Sequence, residues 1–365
     1  MNAQSTAISQ NEQGHLGWLG PVRMLVITLI AFGYASTMPR GPQSAEYLGM
    51  FGYDPSWYGI QMIFMTSGFL ALRSLQKHGS GLKLLASRLA RNAPTVIIFA
   101  LIVIAILFPL FSAPLAAGET RLGQHFLYFL KVVLCIEPNI ITPGLLDNAL
   151  YMCVIQGGLW TFRWGLIAFI ATAVLWAVGG LRNPRLLAFL SLGMTLIYAA
   201  VVGYAVANPQ ASDNAMLQAA LVGLRLGWAY VAGMCLFAYK ARLRRSLVIP
   251  AGILAIAAIQ FYLLRWTPFI EITATLGFGY LVFLVMTSPM PVPGFLRRLP
   301  DLSLGLYVYN WPAAQITLML LPSLTPYPLF AISFPVTMLL SYLTWVLVSR
   351  KINMGVRNRL ALQSA

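Results

Sequence analysis

Arg73, Lys77, Lys83, Arg88 and Arg91 fall in one short stretch between two apolar runs. Arginine offers fixed bidentate donors and lysine a mobile point charge, so such a stretch can hold a phosphate-bearing cytoplasmic ligand. The same pattern equally serves to keep a loop on the cytoplasmic side of a membrane. Arg23, Arg163 and Arg225 lie at or within apolar runs, where an ionisable group is costly and marks a site by default. Arg23, at the very start of its run, could instead snorkel to the interface. Ser67 could act as a nucleophile, yet no His or Asp stands in a motif beside it, and a Ser67-Gly68 pair suits close helix packing. Trp160, Trp164 and Tyr307 can stack on a sugar or anchor at the membrane interface. Asn310 and Gln315 can line a cavity or bond between helices. Glu271 could pair with Arg265. The three cysteines show no metal spacing, and Cys135 and Cys153 could be bridged or remain free thiols.

The elements that must position these residues are membrane helices. With 59% hydrophobic and 9% charged residues, the chain is too apolar for a soluble globule. The fold class expected is all-α, a polytopic bundle. Apolar runs near twenty residues lie at about 22–38, 56–75, 92–112, 160–179, 185–207, 216–239, 246–265, 269–287, 302–321 and 326–349, which predicts ten spans. A net charge of +15 speaks of orientation and anionic lipid, with no nucleic acid expected, because the basic residues sit at span ends. Seventeen of the 24 basic residues fall on the side of both termini. Only Arg40, Arg121, Lys131 and Arg265 fall on the other, which predicts cytoplasmic termini in a plasma-membrane protein.

The organisation expected is a polar cytoplasmic start over 1–20, a membrane domain over 21–350 and a short cytoplasmic tail over 351–365. The start lacks a basic cluster and a cleavage site, so the first span is expected to act as its own insertion signal. The one long connection, 113–159, carries Glu119, Arg121, His125, Lys131, Glu137 and Asp147 with amphipathic pieces, and reads as an outer cap with interfacial helices.

The order of several short blocks resembles the acyltransferase-3 family, integral membrane acyltransferases that decorate bacterial glycans. Arg23 opens the first span; Ser67-Gly68-Phe69-Leu70 is similar to the family's SGFL signature, and Arg88-Leu-Ala-Arg91-Asn-Ala-Pro94 to its R-x-x-R-x-x-P loop. Gln156-Gly-Gly-Leu-Trp160-Thr161-Phe-Arg163-Trp164 is similar to NGSLWTLRYE. The stretch Asp301-Leu-Ser303-Leu-Gly305-Leu-Tyr307-Val-Tyr309-Asn310-Trp-Pro312-Ala-Ala-Gln315 is similar to DLSYGLYIYAFPVQQ.

This resemblance implies O-acyl transfer from cytoplasmic acyl-CoA, such as acetyl-CoA, to an exported saccharide or glycolipid, with membrane lipids as surroundings and no metal. It places Arg88, Arg91, Arg163 and Ser67 toward the donor, Trp160, Trp164, Tyr307, Asn310 and Gln315 toward the acceptor, and Arg23 and Tyr34 at the chemistry. Tyr34 stands where the family's histidine base is expected, eleven residues after Arg23. Gly165 and Ser349 stand where acids are expected. A phenol, with its pKa near 10, is a poor base at neutral pH unless a cation lowers it. Either the site is rebuilt, around Tyr34 or with His125 reaching in from the cap, or the chain is an inactive relative, a glycan- or lipid-handling component or partner subunit of a polysaccharide pathway.

Overall fold

The computed structural model of the chain describes residues 16–41, 49–112, 121–136, 142, 144–265 and 267–349; the tail over 351–365, most of the polar start, Glu119 and Glu137 lie outside these. Among the described residues the secondary structure is helical, with two isolated bridges and no strand. The long helices are α1 (Leu19–Thr37), α2 (Pro55–His78), α3 (Gly81–Phe111, with a π turn over Val103–Leu107), α4 (Leu122–Val133), α5 (Trp160–Ala177), α6 (Pro184–Ala207), α7 (Ala215–Ala238), α8 (Val248–Leu264, ending in a π turn), α9 (Thr267–Met286), α10 (Ser303–Leu320) and α11 (Pro326–Thr344). Seven of them, α1, α3, α5, α6, α7, α9 and α11, are long and apolar enough to cross a membrane. Phe189, Leu192, Leu196 and Ile197 on α6, and Ile167, Ile170 and Val174 on α5, are exposed. Water would not tolerate such stripes, whereas lipid does, and the chain is a multi-pass membrane protein.

The chain divides into two compact units. One comprises residues 1–26, 49–85 and 167–299, the other 27–48, 86–166 and 300–365. In the first unit, α2 and α7 run parallel, as shown by the contacts of Trp57 with Arg225 and, three helical turns on, of Phe69 with Phe237. α9 is parallel to both, its Glu271 and Thr275 meeting Trp57 and Gln61. α6 runs against α7, since Thr195 meets Trp228 while the earlier Leu187 meets the later Cys235. In the second unit, α3 and α10 are parallel, through Arg91 with Asp301 and Phe99 with Tyr309.

Gly68 is a packing element. A Cβ on Gly68 would lie 1.9 Å from the Tyr230 carbonyl oxygen, and one on Gly233 would lie 1.8 Å from that of Met65. α2 and α7 therefore touch backbone to backbone through two glycines, the usual way for membrane helices to gain dispersion and Cα–H···O contacts where lipid supplies no hydrophobic drive. Gly68→Ala is expected to push the helices apart and cost about 1–3 kcal/mol or more by overpacking. The check is the melting temperature of the purified protein in detergent, and an unchanged value would contradict this contact.

The basic stretch is not a loop. α2 ends at His78 with Gly79 in the left-handed region (φ 65°), its N–H bonded to Leu75, and α3 begins at Gly81. Lys83, Arg88 and Arg91 thus lie on the first turns of α3, which passes through Pro94 without ending. Membrane helices tolerate an internal proline when neighbours satisfy the freed carbonyl. The turn itself is fixed to α5, whose Trp176 Nε1 donates to the Gly79 carbonyl at 3.1 Å.

The described part of the segment expected as a cap, 121–136, 142 and 144–159, contains α4 and a series of turns. α4 is amphipathic: Tyr128 and Val132 enter the core of the second unit with Phe99, Phe108, Leu145, Leu146, Ile155 and Tyr309, while Phe126 and Leu127 are exposed. Cys135 and Cys153 are free thiols, and Cys153 Sγ donates to Asp147 Oδ1 at 3.1 Å.

Candidate functional site

Two buried polar clusters form, one in each unit. In the second unit the cluster is built on α10 and the approach to α5. Pro312 has no N–H, so the Val308 carbonyl four residues earlier loses its helical donor. Gln156 Nε2 supplies one, donating to Val308 O at 3.0 Å and to Tyr307 O at 3.1 Å. Gln156 Oε1 meanwhile accepts from the Gly158 N–H and, at 2.9 Å, from the Leu159 N–H, closing the N-terminus of α5. One side chain therefore repairs a proline break in one helix and caps another.

Tyr307 and Thr161 extend this cluster. The Tyr307 hydroxyl donates to the Gly158 carbonyl at 2.9 Å and lies 2.8 Å from the Thr161 hydroxyl, which itself reaches Gly158 O at 2.9 Å. Tyr34 enters the same place from α1. Its ring packs edge-on to Trp311 at 5.1 Å, its side chain engages Tyr307, and its hydroxyl would be 3.3 Å from a Cβ on Gly158. Trp311 Nε1 donates to Gln315 Oε1 at 2.8 Å, and Gln315 Nε2 donates to the Tyr151 carbonyl at 2.7 Å. Asn310 Nδ2 bonds the carbonyls of Leu306 and Tyr307, while its Oδ1 is buried without a partner among the described residues. Tyr34, Tyr307, Asn310 and Gln315 are therefore brought together.

The other expected site residues are placed differently. Arg91 reaches Asp301 Oδ2 at 3.4 Å, both half-exposed, an exposed pair of small worth. Arg88 is half-buried one turn before it, Trp160 and Trp164 are half-buried, and Arg163 is exposed. Arg23 and Ser67 belong to the first unit, and Arg88, Arg91 and Arg163 to the second. Gly165 is open, with nothing within 4 Å of the point a Cβ would occupy; the side chain of Ser349 lies outside the described residues. His125, on α4, packs at 4.4 Å against Phe108, and its buried Nε2 has no partner among the described residues. Burial first, and then the Arg121 charge, hold its pKa below 6.5, so the ring is neutral near pH 7.

The first unit holds the cluster that the sequence only half disclosed. Glu271, 3% exposed, accepts from Trp57 Nε1 at 2.7 Å, Gln61 Nε2 at 2.6 Å and the Tyr198 hydroxyl at 2.6 Å. Gln61 Oε1 in turn accepts from Thr275 at 2.7 Å. The cation facing this group is Arg225, also buried, whose guanidinium lies 3.5 Å from the Trp57 ring centroid. The expected pairing of Glu271 with Arg265 is thereby corrected, since Arg265 is exposed in the left-handed region just after the π turn. An internal carboxylate selects the buried arginine, because only there is screening weak enough for the attraction to offset desolvation.

No family model, curated protein or solved structure matches this chain.

Proposed function

We propose that the chain is a plasma-membrane protein of acyltransferase-like architecture that has given up ordinary base-catalysed acyl transfer and serves as a glycan- or lipid-handling component. The observation that carries this reading is the surroundings of Tyr34. At the position where the resemblance expects an imidazole, a buried phenol is packed on Trp311 and engaged with Tyr307. Acyl transfer to a hydroxyl needs a group able to take its proton near pH 7, and a phenol, with its pKa near 10, is a poor one.

The architecture proposed has ten spans with cytoplasmic termini. In support, α7 and α9 are parallel, so the chain between them must return across the bundle, and α8, at 17 residues about 26 Å long, is the helix available. α2 and α10 are less apolar because they carry the buried polar clusters, with Gln61 on one and Asn310 and Gln315 on the other.

A second reading is favoured by His125. A neutral imidazole with an unpartnered, buried Nε2 can accept a proton, and would allow a rebuilt transfer from acetyl-CoA to a saccharide. The double variant Tyr34→His with Gly165→Glu tests the first reading, using labelled acetyl-CoA and an oligosaccharide mixture. Gain of label transfer or CoA release by at least tenfold over the native chain is expected. No gain in a folded variant would contradict a dormant acyltransferase scaffold.

A further inference from the structure

We propose that the first unit holds a site for an uncharged, hydroxyl-bearing ligand group, with Tyr58 and Gln260 as its hydrogen-bonding residues. The site lies at the end of that unit where α2, α7 and α9 begin and α6 and α8 end. It stands on the buried atoms of this unit and does not depend on the acyl-transfer resemblance.

Tyr58 is 2% exposed and Gln260 is 8% exposed. The Tyr58 hydroxyl and Gln260 Oε1 nevertheless have no hydrogen-bond partner among the described residues. Their neighbours make the contrast plain. Glu271, Gln61, Thr275, Tyr198 and Trp57, in the same unit, form a chain of close bonds. Buried polar atoms left unmet in such a setting call for an occupant.

Three observations place the two residues in the same part of the unit. Tyr58 packs on Ala257, and Gln260 follows Ala257 by three residues on α8, on the same helix face. Residues 50–53 form a tight turn through paired bonds between Met50 and Tyr53. That turn lays Phe51 and Tyr53 against Tyr58, while Gly52, at φ 84°, approaches Phe261 so closely that a Cβ would stand 3.1 Å from the ring. Gln260 also opens the π turn that ends α8, and such turns recur at functional sites because they re-aim side chains.

The chemistry defines the ligand class. Gln260 Oε1 needs a donor, and the Tyr58 hydroxyl can give or take one. Phe278 at 5.2 Å from Tyr58, Tyr53 and Phe51 supply apolar aromatic walls. The described charged side chains at this end are Asp54 and Glu271 against Arg225 and Arg265, two of each sign, so no net charge selects an ion. Hydroxyls set on an apolar carbon frame fit this site, whether from a sugar ring or from a lipid glycerol headgroup.

The test uses the full chain in phosphatidylcholine nanodiscs, its melting temperature titrated with D-glucose, N-acetyl-D-glucosamine or glycerol, and a second arm in nanodiscs containing phosphatidylglycerol. A saturable rise is expected, its midpoint moved at least tenfold by both Tyr58→Phe and Gln260→Met. A response to the sugars assigns a saccharide, and one confined to glycerol or phosphatidylglycerol assigns a lipid headgroup. In the ligand-free protein Tyr58→Phe should leave the melting temperature unchanged or raise it, because removing an unmet hydroxyl relieves its burial. The proposal is overturned by no saturable response in either arm, by a response that both variants retain, or by a lower melting temperature for ligand-free Tyr58→Phe.

Discussion

Glu271→Ala should be the most damaging single substitution in this chain, with a loss of about 3–5 kcal/mol. The carboxylate is met by three donors and faces the buried Arg225. Its removal strands that cation and three polar hydrogens at once, in a place that water does not reach. Glu271→Gln keeps the shape and one acceptor oxygen, so it should fall between the native chain and Ala. The double substitution Glu271→Leu with Arg225→Met removes both charges together and should recover much of the loss, because the penalty lies in leaving one partner alone. Melting temperatures and the yield of monodisperse protein in detergent read this series. Equal stability for Glu271→Ala and the double variant would show that the two groups are not coupled.

Gln156→Met should come next. Its amide serves two backbone carbonyls and two backbone N–H groups. A methionine of similar volume fills the space and meets none of them. Each buried group left unmet costs about 1–3 kcal/mol, although some relaxation will soften the total. Tyr307→Phe is the internal comparison: it removes one hydroxyl while the Gly158 carbonyl keeps Thr161, and it should cost about 1 kcal/mol. A melting temperature for Gln156→Met no lower than that of Tyr307→Phe would mean that the proline break in α10 is satisfied in some other way.

The sequence discloses the membrane class because composition and apolar run length are direct statements about solvent. It also discloses that Glu271 and Arg225 are out of place, since single charges inside apolar runs are conspicuous. It hides their pairing, because separation along the chain says nothing of proximity, and Arg265 is the nearer in sequence. The basic stretch over 73–91 reads as a loop because charge interrupts the apolar pattern, yet lysine and arginine are good helix formers, and α3 runs through its part of that stretch and through Pro94. Gln156 is legible in principle. A proline at 312 requires an outside donor for the carbonyl at 308, but nothing in a single sequence says which amide provides it. The orphaned atoms of Tyr58 and Gln260 have no signal at all, since a lack of partners is a property of packing alone.

Tyr34 carries the proposed loss of acyl transfer, and turnover by the native chain tests that loss most directly. Purified native protein would be incubated with labelled acetyl-CoA and a mixture of oligosaccharides, and label transfer and CoA release followed between pH 6 and 9. Neither should rise above the level of protein-free lipid vesicles. Label transfer by the native chain, abolished by Tyr34→Phe or by His125→Gln, would contradict the proposed loss and identify a rebuilt acyltransferase site.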